Sequence, residues 1–256
     1  MPEHSSFLTL LLSHIKDTLN HNAHGILGES IVGHQSPSWQ SFEPLAGSIL
    51  VILIVIGVSL RVRARLLKTD EAVIPEEDLT LRTFMEAFLA YFYDLAKSVM
   101  DAERAKKYFP LIGTSAVFVF FANIMALIPG MPIATSNLNV TAGCALVVFI
   151  LFNAYGLATN GWKYVAHLAG PAWYLMPLVF PIEVISLCVR PVTLAVRLMI
   201  NMTADHMMLG LFIALVGLFL PVPVMMLGVI VVVVQTLVFT LLTCIYIGLA
   251  TEQEAH

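Results

Sequence analysis

The sequence predicts an all-α polytopic membrane protein of about five transmembrane helices, including a long tilted helix hairpin, with one interfacial amphipathic helix beside them. Three observations carry this. Of the 256 residues 59% are hydrophobic and only 12% charged, and the mean hydropathy is +0.87, well outside the shares of a soluble domain. Apolar runs recur at a length that matches a bilayer. Ten of the 13 cations fall in two of the connections between those runs, the asymmetry that the positive-inside rule describes for a polytopic chain.

A hydrocarbon core about 30 Å thick takes about 20 apolar residues as helix. Residues 42–60 supply the first such run, 109–129 the second and 138–158 the third; the last two end at turn formers, Pro129-Gly130 and Asn160-Gly161. The fourth run, 173–220, would measure about 70 Å as one helix, more than twice the core thickness. Either it breaks into two spans or it lies strongly tilted. The fifth, 222–250, contains Val231 to Val234, which is ordinary helix interior in lipid. Between the first two runs, Phe84, Phe88, Tyr91, Phe92 and Leu95 recur at helical spacing, with Glu86, Asp94 and Lys97 on other faces. That pattern describes the interfacial helix.

Of the 13 Lys and Arg, all but Lys16, Arg190 and Arg197 lie in the loop 61–107 or at Lys163, after the third run. Those loops are expected on the cytoplasmic side, the N-terminus outside and the C-terminal tail inside. That arrangement needs an odd number of spans, which favours one tilted crossing for the fourth run. The division expected is an N-terminal extramembrane segment, 1–41, and a membrane domain, 42–256. The N-terminal segment lacks the basic start and compact apolar core of a signal peptide and is expected to stay in the mature chain. Its His4, His14, His21, His24 and His34 are irregularly spaced and read as solvated linker histidines rather than a metal site. Cys144, Cys188 and Cys244 stand in separate apolar stretches and read as small hydrophobes. Neither a metal nor any other cofactor is expected. A net charge of -4 without a basic face argues against a nucleic-acid partner.

The fourth run holds Glu183, Arg190, Arg197, Asn201, Asp205 and His206; ionisable groups at membrane depth are costly enough to be functional candidates by default. At 100° per residue, Glu183, Arg190, Arg197 and Asn201 fall within about 40° of one another, Asp205 lies just off that edge, and His206 points away. Arginine keeps its proton in a protein, so Arg197 can only present a fixed positive charge and lower the pKa of a nearby acid. Glu183 is about 21 Å and Asp205 about 12 Å from it along a straight helix. The missing carboxylate is therefore inferred to sit on another polypeptide. Arg190, beside helix-bending Pro191, is open to a structural or a functional reading. In the last run Gln235 and Tyr246 share a helix face and either can line a wet path; Tyr246 reads equally as an aromatic-belt anchor.

The stretch from Arg190-Pro191 through Arg197-Leu-Met-Ile-Asn201 resembles the signature of the F-type ATP synthase subunit a family (F0 sector, ATPase subunit 6), in which a proline precedes an Arg-Leu-x-x-Asn core. Residues 118–130, Ser136-Asn137-Leu-Asn139-Val-Thr141 and 235–252 look like three further blocks of that family, so the resemblance covers the chain from about residue 109 onward. It implies a non-catalytic, proton-conducting stator subunit in a bacterial inner membrane. Arg197 would face the carboxylate of a ring of c subunits, with peripheral stalk b subunits and the F1 sector as further partners. It also implies that Glu183, Asn201, Asp205, His206, Gln235 and Tyr246 line two aqueous half-channels. The chain departs from the family in three places. Many members have a small residue then an acid where this chain has Asp205 then His206, an ionisable group where it has Gly228, and an Asp where it has Asn137.

No Gly-rich phosphate loop ending in Lys-Ser/Thr occurs, so the chain is not itself expected to hydrolyse ATP. A self-contained secondary transporter would need an intramembrane acid near Arg197 and usually a repeat. An intramembrane hydrolase would need a fuller set of metal ligands or facing aspartates than Asp205 and His206 supply.

Overall fold

A computed structural model describes residues 43–66, 80–128, 131, 135, 137–161, 176–216 and 221–251. Among these, six α-helices follow in chain order: α1 (Glu43–Leu66), α2 (Leu81–Val99), α3 (Ala102–Leu127), α4 (Leu138–Asn160), α5 (Met176–Val216) and α6 (Pro221–Thr251). All but α2 are long and apolar enough to cross a membrane. The fold class is the predicted one. Segment 1–41 with its histidines, Lys68, Lys163 and the tail beyond Thr251 lie outside the described residues.

The 41 residues of α5 form one helix, about 60 Å long, which fits a bilayer only when steeply inclined. This decides between the two forms open at the fourth run. Pro181 and Pro191 stand inside it. Each removes one backbone donor, a loss that transmembrane helices absorb through neighbouring side chains and local adjustment.

Lipid is as apolar as leucine, so burial of hydrocarbon gives little drive for these helices to associate, and close backbone approach does more. α3 accordingly presents Ala105, Gly113, Ala116, Ala122 and Ala126 as buried small residues. Its broadest contact is with α6, which also packs on α4 and α5, while α5 leans chiefly on α4. The shared core gathers Ile112 and Val119 of α3, Phe152 of α4, Leu194 and Leu198 of α5, and Phe239 and Ile247 of α6. Tyr108 and Thr159 hydroxyls meet at 2.9 Å, and Asn160 Nδ2 donates to the Ala250 carbonyl at 3.2 Å, so α3, α4 and α6 are tied at one end of the bundle.

Helix starts follow their capping residues. Asn137 Oδ1 accepts from the Asn139 amide at 2.9 Å and opens α4, which gives the Ser136-to-Thr141 block a structural task. α3 begins seven residues ahead of its apolar run, with Asp101 accepting from Arg104 Nε at 3.1 Å. In α2 the packing face differs from the aromatic stripe read in the sequence. Met85, Phe92 and Ala96 are buried while Phe84 and Tyr91 are exposed, and Phe88 meets Phe120 of α3 at 4.8 Å. The stripe is wider than the contact it makes because an interfacial helix has two apolar neighbours, protein and acyl chain. α1 is the outlier of the bundle: it packs mainly on α3, where Val51, 0% exposed, sits against Ala122 and Met125.

Candidate functional site

The six polar residues of the fourth run all lie on α5. Its inner face, with Leu194, Leu198 and Met202, is buried; Arg197 is turned out and exposed. Among the described residues Arg197 makes no ion pair: the salt bridges are Arg82–Glu86 and Lys97–Asp94 in α2 and Arg104–Asp101 at the start of α3. The same exposed side of α5 carries Ile182, Ile185, Val189, Ile200 and Leu211, an apolar stripe with the guanidinium at its edge.

To one side of Arg197, one helical turn on, Asn201 Nδ2 donates to Gln235 Oε1 of α6 at 2.7 Å. Gln235 is 5% exposed, so the two amides spare each other the cost of unpaired burial. One turn further, Asp205 and His206 are half-buried, and Asp205 Oδ2 is enclosed without a hydrogen-bond partner among the described residues. To the other side, the Arg190 guanidinium carbon lies 5.3 Å from the centre of the Tyr246 ring, a cation–π contact, and Tyr246 packs on Phe152 of α4 at 5.9 Å. Glu183 is half-buried two turns beyond Arg190. Arg197 thus stands between two polar groups of side chains.

The sequence offers Gln235 and Tyr246 as polar groups on one face of the last run, without partners. They are instead the α6 partners of Asn201 and Arg190, and their equal spacing on the two helices, eleven residues, was the available signal of an antiparallel register. Thr236, Thr240 and Thr243 donate to the carbonyls of Val232, Thr236 and Phe239 at 2.8, 2.8 and 2.9 Å. At Gly228 a Cβ would collide with Leu127 Cδ1, so α3 fills the place that an ionisable side chain there would need. Cys144, Cys188 and Cys244 are free thiols on three different helices, and the described residues contain no group of three metal-ligating side chains.

A helical membrane protein with a solitary guanidinium on an outward face, flanked by polar clusters at membrane depth, is of the ion-translocating class. Comparison with known proteins makes the family specific. The profile of the ATP synthase A chain family matches residues 45–248. The chain is 57% identical to the ATP synthase subunit a of Sorangium cellulosum over 256 residues, the whole of both chains. It is 42% identical to ATP synthase subunit a 1 of Syntrophotalea carbinolica over 207 residues, 81% of this chain and 84% of that one. With the subunit a of Geobacter sulfurreducens it shares 38% identity over 176 residues, 69% of this chain and 76% of that one. The chain belongs to the ATP synthase A chain family: it is a proton-conducting, non-catalytic, multi-pass membrane subunit of the F0 stator.

Proposed function

We propose that the chain conducts protons through two offset half-paths separated by Arg197, against a rotating ring of c subunits whose carboxylates pass that arginine. The observation that carries this is the exposed guanidinium of Arg197, at the edge of the apolar stripe of α5 and without an ion-pair partner among the described residues. A lone charge at membrane depth needs a counter-ion, and an acid brought within about 4–6 Å of it is stabilised as carboxylate and releases its proton. The outer half-path takes Asp205, His206, Asn201 and Gln235; the inner one takes Glu183, with Tyr246 seated against Arg190. Arg197 is the barrier, since a guanidinium neither accepts nor passes on a proton.

The same reading gives the ring the outward face of α5, and gives the peripheral stalk b subunits and the F1 sector contacts elsewhere in the complex. Disulfide trapping tests it. With Cys188 replaced by alanine, Ile200→Cys is expected to cross-link to a cysteine placed beside the rotor carboxylate, in the assembled complex and in a rotation-dependent manner. Labelling of that thiol by lipid-phase reagents, with no cross-link to the ring, would remove the stator assignment. A self-contained transporter is disfavoured by the lack of any acid within reach of Arg197 among the described residues.

For the membrane we propose a bacterial inner membrane with the N-terminal segment 1–41 outside and the C-terminus in the cytoplasm, on the strength of the cation distribution. A thiol at Lys68 or Lys163 should react with impermeant reagents only from the cytoplasmic side, and one at His21 only from the outer side. Labelling of position 163 from outside would reverse the topology.

A further inference from the structure

The last turn of α2, the first turn of α3 and the last two turns of α6 meet at one corner of the bundle, and between them lies a cleft of about 140 Å³ lined by Val99, Arg104, Ile245, Gly248 and Leu249. Its walls are of two kinds. Ile245 and Leu249 stand one turn apart on the apolar span of α6, and Leu249 is exposed. Arg104 belongs to the charged stretch that precedes the apolar run of α3. Gly248 makes the room: outside its own helix, the nearest atom that a Cβ there would meet is the Val99 carbonyl oxygen, at 4.0 Å. The cleft therefore straddles the boundary between charged and apolar levels of the bundle.

The charges at its rim narrow the occupant. Arg104 Nε and Nη2 both donate to Asp101 Oδ2, at 3.1 and 2.5 Å. A guanidinium carries five N–H donors, so some stay available to a ligand, and Asp101 Oδ1 takes no part in the pair. Val99 adds the end carbonyl of α2, of the kind that a helix end leaves outside its ladder. Donors and acceptors thus stand side by side above an apolar wall. A simple anion would meet the Arg104 guanidinium and the Asp101 carboxylate together and gain little. A molecule that carries a phosphate, a hydrogen-bonding ammonium and a hydrocarbon chain satisfies every wall of the cleft.

We infer that this cleft binds a phospholipid with a primary ammonium headgroup, of the phosphatidylethanolamine class. Its phosphate sits on Arg104, its ammonium faces Asp101 Oδ1 and the Val99 carbonyl, and an acyl chain runs along Ile245 and Leu249. Arginine suits the phosphate because its planar fork pairs with tetrahedral oxyanions and is weakly hydrated. The level is right as well, since an interfacial helix such as α2 lies at the boundary between headgroups and acyl chains, and basic pockets between membrane helices are where lipid headgroups are held. Bound there, the lipid fills the corner at which α2 leaves the bundle and joins the interfacial helix to α6. Neither the half-paths nor the sidedness of the chain enters into this.

Photolabelling tests it in the intact complex, reconstituted into phosphatidylcholine vesicles with a trace of a lipid that carries a carbene precursor on its acyl chain. Label on the peptide that holds Ile245 and Leu249 is read by mass spectrometry. The phosphatidylethanolamine analogue is expected to label it about tenfold more than the phosphatidylcholine analogue, whose quaternary ammonium has no N–H to donate; that is roughly one hydrogen bond to a charged group. Arg104→Gln is expected to remove the preference. Gly248→Leu, whose side chain would enter the cleft and leave the charges in place, is expected to remove it too, each variant being read only in assembled complex. Equal labelling by the two analogues overturns the proposal, because bulk lipid then fills the cleft, and so does a preference that survives Arg104→Gln. Stronger labelling by a phosphatidylglycerol analogue overturns it as well, since the phosphate alone would then be selected, and competition by inorganic phosphate would replace the lipid by a free anion.

Discussion

Arg197→Ala is expected to abolish proton-driven ATP synthesis and to leave a membrane that leaks protons passively. The guanidinium has no partner in its own chain among the described residues, so its charge is free to act on a passing rotor acid. At about 4 Å and an effective dielectric constant of about 20 the attraction is on the order of 4 kcal/mol, about a thousandfold in rate if it is felt only as the acid ionises. Without it the acid stays protonated and crosses the former barrier, which uncouples flux from synthesis. Arg197→Lys is the sharper variant: it keeps a charge of similar reach but replaces a weakly hydrated planar fork by a compact ammonium that loses its proton readily when buried. Synthesis by the Lys variant should fall steeply too. Normal ATP synthesis by Arg197→Ala membranes under an imposed gradient would show the assignment wrong, and Arg190 would be tested next.

The second large effect is expected at Asp205 and His206, the neighbouring titratable pair of the outer group. A positioned acid–base side chain contributes about a hundredfold or more to a proton transfer, so Asp205→Asn should slow flux by about that factor. The double variant with His206→Ala should fall below either single one, by a factor that differs from the product of the two. Strict multiplication of the two effects would mean that only one of the residues carries protons. Gly228 gives this pair its weight: with Leu127 seated over that glycine, α6 brings no titratable side chain to the outer half.

The spans were legible because the bilayer imposes a length, and composition at that length leaves helix as the reading. Helix ends fell a few residues from the apolar runs, since caps and charged first turns such as Asp101–Arg104 continue a helix beyond its lipid-facing part. Arg197 was legible because an arginine inside an apolar run breaks a rule that every other such run in the chain obeys. Pairings were not. Asn201 and Gln235 are 34 residues apart, and nothing local says that two amides on different helices will meet. In α2 periodicity gave the helix, while the buried face also takes in Met85 and Ala96, which lie outside the aromatic stripe.

The outward stripe of α5 has a consequence for the life of the chain before it reaches its complex. A newly inserted subunit must hold Arg197 against acyl chains, at a cost of about 2.5–3.5 kcal/mol for an arginine at the centre of a membrane helix. Water and headgroups drawn toward the charge lower that cost and thin the lipid around the inclined helix. On the proposed reading, docking to an acid-bearing ring removes that cost, so the charge assigned to turnover would also favour assembly, and an orphaned copy would differ from an assembled one by a feature that the membrane itself can sense.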